Sequence, residues 1–375
     1  MNKLRLATVF SGIGAIEFAL KRLNIDYKIV FACDNGEREI EYDHNYEYQK
    51  IKRLSSITKK KEYVDNLYST KTSKKNYVKE SYLHNYKCSK NRYFEDICLL
   101  DGTDFTNKVD LFVGGSPCQS FSSVGCQLGF EDSRGNLFFE FVRLIKEIQP
   151  KVFIYENVRN LFNHDKGNTW KKMKNIFKEL GYNFSYDILN SSDYGIPQTR
   201  RRLFVVGYKK EYNYVLSPKK KTLNYCLKDF TINRCKFGNF TYNNENGELI
   251  IHKEKGEIDP KYTLTSKVYN YVMSPGTKTW YQKPNINLKI ARTLLKTMGN
   301  KHRAGVDNYL SFDGTKKLGS VRMLSEREAH RLMGFTDDYK IVVSTTQAYK
   351  QAGNSIVVDV LMAIIKDVIN NGLLS

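Results

Sequence analysis

Residues 109–126 read VDLFVGGSPCQSFSSVGC, and the interpretation of the whole chain starts from this stretch. Its apolar beginning, VDLFV, predicts a buried parallel strand. Gly114 and Gly115 end that strand and permit a tight turn. Cys118 follows, and Pro117 fixes the backbone before it. Because ligands bind beyond the carboxyl ends of strands in open α/β sheets, Cys118 is a candidate nucleophile, with a buried structural cysteine as the alternative.

Upstream, residues 4–34 predict a strand–helix–strand unit. A strand over 4–10 ends at the glycine turn SGIG, a helix follows over 15–23, and a second strand covers 27–33. Asp34 stands at the end of the second strand, 20 residues beyond the second glycine of the turn. This is the spacing at which a carboxylate meets the ribose hydroxyls of a nucleotide.

The glycine turn lacks part of the dinucleotide-binding fingerprint. Glu17 occupies the place of its third glycine. With no pyrophosphate to hold, the turn favours a nucleoside cofactor such as S-adenosylmethionine, and an NAD-dependent dehydrogenase is disfavoured. A purely structural turn would leave the same pattern.

Downstream, the alternation of helices and strands continues. We expect helices over 137–149 and 169–180 and strands over 151–155, 183–190 and 203–207. Glu156 directly follows the first of these strands, so it would lie at the same sheet edge as Cys118, although an ordinary surface glutamate is the alternative. The run Arg200–Arg202 beside a Gly/Pro turn suits phosphate or base contacts, and a solvated charge run has the same appearance.

The chain is strongly basic, with 60 Lys and Arg against 40 Asp and Glu in 375 residues, and the excess is localised. Residues 46–93 contain 13 basic and 4 acidic residues, and residues 209–320 contain 21 and 9. Such a layout favours a polyanionic partner, because neutralised phosphates supply much of the affinity for nucleic acids. Lysines that only keep the protein soluble are the alternative.

Several other classes of protein are disfavoured by composition. No apolar run reaches the roughly 18–20 residues of a membrane span, and no signal-peptide pattern precedes the first strand. The seven cysteines form no CxxC pair, which argues for reduced thiols. We therefore expect a cytoplasmic protein with no membrane partner and no metal.

Two segments depart from the α/β pattern. Residues 46–93 lack glycine and proline and interleave tyrosine with lysine, which predicts a helical or partly ordered insertion that either contacts nucleic acid or is simply solvated. Residues 209–320 have short β-like stretches at 249–252 and 262–272, which predict a smaller, irregular, β-rich domain.

Helical patterns return towards the C-terminus. A helix is expected over 322–335, where Ser325 and Glu328 form a capping box. A second, amphipathic helix within 348–369 would pack back on the first part of the chain. The predicted domains are therefore 1–208 together with 321–375, and 209–320.

Taken together, these motifs resemble the DNA (cytosine-5) methyltransferase family. The resemblance covers most of the predicted large domain and rests on six short motifs in the family's order. They are Phe10–Gly14, Gly115–Ser122, Glu156–Val158, Gln198-x-Arg200-x-Arg202, Arg322–Phe335 and Gly353–Ser355. The resemblance implies a Rossmann-like α/β domain that uses S-adenosylmethionine, and a target-recognition domain within 209–320.

The resemblance also implies residues around the cofactor. They are Phe10, Gly12, Ile13, Gly14, Asp34, Asn35, Asp96, Ile97, Pro117, Leu137, Asn354 and Ser355. Asp34 matches the acid that binds the ribose, whereas Asn35 stands where the family usually has tryptophan, so adenine stacking is expected to differ. Residues 46–93 have no counterpart in compact members of the family.

For catalysis, the resemblance implies that Cys118 adds to C6 of a flipped-out cytosine, that Glu156 meets N3, and that Arg202 steadies both. Arg200 matches a supporting position. DNA contacts are expected from Gln119, Ser120, Ser122, Arg134, Thr293, Lys296 and Arg303.

The expected activity is methylation of cytosine C5 in a specific double-stranded DNA sequence, by a monomer, alongside a restriction endonuclease that acts separately. A tRNA methyltransferase of the same fold is an alternative, although the Cys-Phe-Thr tripeptide of that branch is absent and a basic segment is present. A non-catalytic DNA-binding relative is a further alternative, against which the presence of Cys118, Glu156 and Arg202 argues.

Overall fold

A mixed sheet forms the centre of the fold. The computed structural model describes residues 3–116, 137–209, 213–231, 240–252, 259–274, 276–277, 280–281, 284–311 and 313–374. The first eight strands are β1 (Leu4–Val9), β2 (Tyr27–Cys33), β3 (Tyr93–Phe94), β4 (Leu111–Gly114), β5 (Val152–Val158), β6 (Asn183–Asn190), β7 (Gln198–Thr199) and β8 (Arg201–Tyr208). In these described residues, seven strands form one sheet in the order β3-β2-β1-β4-β5-β8-β6. Neighbours from β3 to β5 are parallel, and β8 is antiparallel to both β5 and β6.

Helices cover both faces of this sheet. Those described are α1 (Ala15–Arg22), α2 (His44–Arg53), α3 (Ile57–Lys71), α4 (Tyr77–Asn85), α5 (Leu137–Ile148), α6 (Asn168–Glu179), α7 (Leu227–Phe230), α8 (Ser266–Met273), α9 (Glu326–Arg331), α10 (Thr345–Asn354) and α11 (Val358–Asn370). Along β5, Val152 and Ile154 face a core that includes α1 and α11, whereas Phe153 and Tyr155 face a core that includes α5 and α6. The predicted α/β fold is therefore confirmed.

Short strands make up small additional sheets. They are β9 (Phe240–Tyr242), β10 (Leu249–Ile251), β11 (Gly276–Thr277), β12 (Trp280–Tyr281), β13 (Ala291–Arg292), β14 (Tyr309–Ser311) and β15 (Val321–Met323). A separate small core lies beneath α8, β14 and β15 and contains Leu264, Val272 and Val321. Phe240 packs instead in the large core, so the polar and basic segment after residue 209 contributes to both cores.

Two local predictions were wrong. Residues 262–272 do not form a strand, because α8 begins after an N-cap in which the Thr265 hydroxyl accepts a hydrogen bond from the Val268 amide. The expected helix over 322–335 is shorter, since β15 precedes it and α9 covers only Glu326–Arg331. Its predicted capping box, by contrast, is confirmed.

The C-terminal helix α11 packs on α1. Arg22 of α1 is fully buried and makes hydrogen bonds of 2.8 and 3.1 Å to the two carboxylate oxygens of Asp359 in α11. Its guanidinium also donates to the carbonyls of Gly334 and Gly247. One buried cation therefore joins the two ends of the chain.

The predicted insertion is helical and packed against the sheet. Within it, Ile51, Val64 and Tyr68 form a small core with Leu99. Lys60 lies 2.6 and 2.9 Å from carboxylate oxygens of Asp101 and Asp104, so part of its positive charge is neutralised within the fold. In the described part of the chain, no helix combines the length and apolar character needed to cross a membrane.

Candidate active site

The carboxyl ends of β1 and β4 meet at a crevice. From these two adjacent strands the sheet continues in opposite directions, to β2 on one side and to β5 on the other, which is where α/β sheets bind ligands. Gly114 pairs with Val9 across the crevice. A Cβ atom on Gly114 would lie only 2.6 Å from Val9 Cγ2 and 2.9 Å from the Phe141 ring, so the packing of these side chains over residue 114 requires glycine.

A cavity of about 300 Å³ opens above this crevice. Among the described residues, ten of the predicted site residues line it: Phe10, Gly12, Ile13, Asp34, Asn35, Glu156, Arg200, Arg202, Lys296 and Asn354. They come from six separated parts of the sequence, and the fold brings them together around one cavity of a size typical for small-ligand sites.

The turn after β1 and Asp34 form one end of the cavity. The Asp34 carboxylate accepts hydrogen bonds from the Gly12 amide at 2.9 Å and from the Gly36 amide at 2.8 Å. Burial raises the pKa of Asp34, and these two amides oppose that shift. Phe10 has a φ of 52°. A bulky residue rarely adopts this left-handed backbone, so local strain is built into the turn.

Glu156 and Arg202 form an ion pair on the opposite wall. Arg202 Nε lies 3.2 Å from Glu156 Oε1, and the Glu156 side chain is 15 % exposed. Burial raises the pKa of Glu156, while Arg202 and then Arg200 lower it to a smaller extent. A Cβ atom on Gly115 would lie 2.9 Å from Glu156 Oε2, so the backbone just after β4 is in direct contact with this carboxylate.

Side chains of β5 hold the backbone that leads to Cys118. Asn157 donates to the Ser116 carbonyl at 3.1 Å and to the Tyr155 hydroxyl at 2.8 Å. The Tyr155 hydroxyl in turn lies 2.7 Å from Ser116 Oγ. This buried network fixes residue 116, two positions before the candidate nucleophile.

Arg200 is a structural brace beside the cavity. Its guanidinium donates to the carbonyls of Leu294, Gly353 and Ser355 at 2.8–3.0 Å. Burial, and to a smaller extent Arg202, lowers its pKa to about 9, while Glu156 opposes the shift. These contacts suit a positioning residue that joins three chain segments.

Glu37 connects the two sides of the cavity rim. One of its carboxylate oxygens lies 2.6 Å from Lys350 Nζ, and the other accepts a hydrogen bond from Asn354 and lies 3.3 Å from Lys296 Nζ. Burial raises the pKa of Glu37, but Lys350 and Asn354 outweigh this and the pKa is lowered overall. Lys296, expected at DNA, therefore lies at the cavity rim in an ion pair.

Some predicted cofactor residues lie elsewhere. Among the described residues, the cavity lining does not include Gly14, Asp96, Ile97, Leu137 or Ser355. The Asp96 carboxylate accepts hydrogen bonds from the hydroxyls of Tyr42 and Tyr68 at 2.6 and 2.9 Å. Its adenine contact stays a prediction. Pro117, Cys118, Gln119, Ser120, Ser122 and Arg134 lie outside the described residues.

Two further predicted DNA contacts lie near the cavity. Thr293 is partly buried and donates from its hydroxyl to the Thr199 carbonyl at 2.6 Å, beside the pairing of β13 with β7. Arg303 donates to the Thr297 hydroxyl at 2.6 Å and lies 3.6 Å from Asp307. Their predicted contacts with DNA remain predictions.

Sequence reasoning missed several residues of the cavity wall. Tyr77 and Val78 of the insertion line the cavity, as do Lys350 and Gln351 of α10. The last two directly precede the Gly353–Ser355 motif, and this proximity was an available signal. No signal in the sequence links Tyr77 to the turn after β1, because the two are far apart along the chain.

Comparison with known proteins is consistent with this geometry. The sequence profile of the C-5 cytosine-specific DNA methylase family matches residues 64–370. The type II methyltransferase M.SsoII of Shigella sonnei is 36 % identical over 282 residues, which are 73 % of this chain and 67 % of that protein. M.HhaI, a type II methyltransferase of Haemophilus parahaemolyticus, is 36 % identical over 257 residues, 68 % of this chain and 74 % of that protein.

A solved structure shares the overall fold. The crystal structure of the S. pombe Dnmt2 methyltransferase aligns with a TM-score of 0.63 and 16 % identity, over 99 % of each chain. At this identity, the likeness supports the fold and carries no argument about substrate.

Proposed function

This chain belongs to the C-5 cytosine-specific DNA methylase family, as a DNA (cytosine-5)-methyltransferase of the kind found in type II restriction–modification systems, and we propose that the cavity between Asp34 and Glu156 is its catalytic site. One observation carries the proposal. Glu156 and Arg202 are paired against Gly115, three residues before Cys118, on the wall of the cavity that also contains Asp34.

The residues around Asp34 fit S-adenosylmethionine, the methyl donor of this family. Each Asp34 oxygen accepts one amide hydrogen bond, which leaves acceptor capacity for the two ribose hydroxyls. Gly12 and Ile13 bring backbone close to the same space. When bound there, the donor supplies a methyl group on a positively charged sulfur, and the remaining cavity leads towards Glu156.

Cys118 acts on the cytosine ring, which must be flipped out of the duplex. Its thiolate forms a bond to C6, and the ring electrons move towards C5. Burial raises the pKa of Glu156, which favours the protonated carboxyl that donates to N3 and stabilises the charge that develops there. C5 then takes the methyl group. Loss of the C5 proton and expulsion of Cys118 restore the aromatic ring.

The remaining site residues position these groups. Arg202 orients Glu156, and Arg200 holds the segments that carry Leu294 and Gly353 beside it. Pro117 restricts the backbone before Cys118, and the small polar residues Gln119, Ser120 and Ser122 are proposed to contact the DNA around the flipped base.

Sequence-specific double-stranded DNA is the proposed partner, and the basic segment 209–320 is proposed as the target-recognition domain. Residues 1–208 and 321–375 form the proposed catalytic domain. The enzyme would act as a monomer in the cytoplasm of a bacterium, next to a separate restriction endonuclease. Relatives named as type II methyltransferases favour DNA over the alternative tRNA substrate.

Bisulfite sequencing of DNA and tRNA from cells expressing the chain tests the proposal. We expect methylated cytosines in DNA within one short sequence, and none in cells expressing Cys118→Ala. Cys126→Ala is the matched control and should retain methylation. Methylation by C118A would overturn the nucleophile assignment, and methylation confined to tRNA would overturn the substrate. DNA with 5-fluorocytosine at the target should trap a covalent complex with wild type only.

A further inference from the structure

We infer that α4, a helix of the insertion, forms one wall of the methyl-donor site, and that the Tyr77 ring packs against the adenine of the donor. This inference rests on the proposed function of the cavity. Its basis is the docking of α4 on the loops that form that cavity.

The beginning of α4 is attached to the turn that carries Asp34. Asn76, the N-cap of α4, donates from its side chain to the Asp34 carbonyl at 2.8 Å and accepts from the Lys79 amide at 2.9 Å. Asn76 also packs closely on Gly36. A Cβ atom on Gly36 would lie only 2.3 Å from Asn76 Oδ1. The first residue of α4 is therefore held next to the predicted ribose-binding acid.

The other end of the helix is attached to the glycine turn. Tyr86, its C-cap, donates from its hydroxyl to the carbonyls of Ile13 and Gly14 at 3.0 and 2.7 Å. A Cβ atom on Gly14 would lie 2.1 Å from the Tyr86 ring, so this glycine leaves the space that the ring fills. Tyr82 donates to the buried Glu17 carboxylate at 2.5 Å.

A third contact joins α4 to α10. The Ser81 hydroxyl donates to Gln351 Oε1 at 2.9 Å, and Gln351 Nε2 donates to the Tyr77 carbonyl at 2.9 Å. Gln351 itself lines the cavity. The helix α4 therefore contacts the turn that carries Asp34, the glycine turn after β1, and Gln351 of α10. These contacts make α4 part of the cavity wall.

Tyr77 provides the aromatic ring that is absent at residue 35, directly after Asp34. Asn35, directly after the acid, offers no aromatic face, whereas Tyr77 and Val78 line the cavity with Asn35 and Phe10. The Tyr77 side chain is only partly buried, which leaves ring surface open to a ligand. Bases stack on aromatic side chains with a gain that corresponds to roughly 5- to 150-fold in affinity.

Calorimetric titration with S-adenosylhomocysteine, the demethylated donor, tests this inference on the full chain. We expect Tyr77→Ala and Tyr77→Leu to bind about 10- to 100-fold more weakly than wild type. Tyr77→Phe keeps the ring and should bind within about threefold of wild type. Tyr46→Ala is the control, because Tyr46 lies in the same insertion, is 57 % exposed and does not line the cavity.

The outcomes are distinguishable. Wild-type affinity in Tyr77→Leu overturns the inference and leaves the proposed function intact. A wild type that does not bind S-adenosylhomocysteine contradicts the proposed function of the cavity itself. Because Leu preserves an apolar side chain at this position, thermal unfolding of Tyr77→Leu near the wild-type temperature ensures that any loss reports the missing ring.

Discussion

Burial and a neighbouring arginine act in opposite directions on the pKa of Glu156. Burial dominates, so the pKa of the carboxyl is raised even though Arg202 lies 3.2 Å away. A raised pKa favours the protonated carboxyl, which is the form that can donate a hydrogen bond to a ring nitrogen. This environment is what separates Glu156 from an ordinary glutamate at the end of a strand.

Glu156→Gln should lower kcat by roughly 100- to 1,000-fold, because an amide cannot deliver a proton to N3. In the wild type, the protonated fraction of Glu156 falls as pH rises through its raised pKa, so kcat/KM should decline on the alkaline side. That decline should disappear in Glu156→Gln and persist in Glu37→Gln, because the lowered pKa of Glu37 places its titration at acidic pH. An unchanged alkaline limb in Glu156→Gln would assign it to another group.

The buried carboxyl of Glu17 predicts how the stability of the fold depends on pH. Burial raises its pKa from 4.5 to about 7, so the folded state binds more protons than the unfolded state between these values. Stability should therefore fall as pH rises from about 4.5 to 7, by on the order of 2–3 kcal/mol through this group. Urea unfolding at pH 5 to 8 should show a flatter dependence for Glu17→Gln and the wild-type slope for exposed Glu80→Gln. Equal slopes for all three proteins would refute the assignment.

Among the elements, the strands and the helix α1 follow from local patterns, and the insertion does not. An apolar run that ends in glycine predicts β4 because strand and turn preferences act over neighbouring residues. The position of α4 depends on Tyr82 meeting Glu17 and on Asn76 meeting Asp34, which are pairings between distant parts of the chain. Charge and composition identify the insertion as unusual but contain no information about what it touches.

In the candidate site, the structural role of Arg200 could not be predicted from the sequence either. The motif places it beside Arg202, but its burial against three carbonyls follows from how β8, α10 and the segment around Leu294 meet. Residues of the cavity lining such as Asp34 and Glu156 could be predicted because the proposed chemistry restricts the residue type. Bracing residues could not, because many side chains can join two segments and only the packed structure selects one.

Arg200→Lys should reduce the free energy of unfolding by about 2–4 kcal/mol, since one ammonium cannot satisfy three carbonyls in this geometry. Arg201→Lys is the matched control, because Arg201 is the next residue and is exposed, and it should change stability by less than about 0.5 kcal/mol. Chemical denaturation of the three proteins provides the comparison. Similar stabilities for both variants would show that the brace contributes little.

In the molecule as a whole, the two ends of the chain are interdependent. The core that carries α1 is completed by α11, and the buried pair of Arg22 and Asp359 lies at their contact. The cavity wall is assembled in the same way, from residues near positions 10, 34, 156, 202 and 354. The site therefore depends on the closure of the large core.

Asp359→Asn should lower the free energy of unfolding by about 3–5 kcal/mol, because it leaves the buried Arg22 without its counter-charge. Asp26→Asn breaks an exposed pair with Lys3 and should cost at most about 1 kcal/mol. Urea unfolding measures both. A small loss in Asp359→Asn would mean that the carbonyls of Gly334 and Gly247 alone sustain the arginine.

The separation of Arg22 and Asp359 along the sequence also determines when the large core can form during translation. Arg22 leaves the ribosome early, and its partner is made 337 residues later, roughly 20–70 s afterwards at ordinary rates of elongation. During that interval a nascent chain that closed around α1 would bury an unpaired cation, which is strongly unfavourable. The large core can thus be completed only after Asp359 has been synthesised.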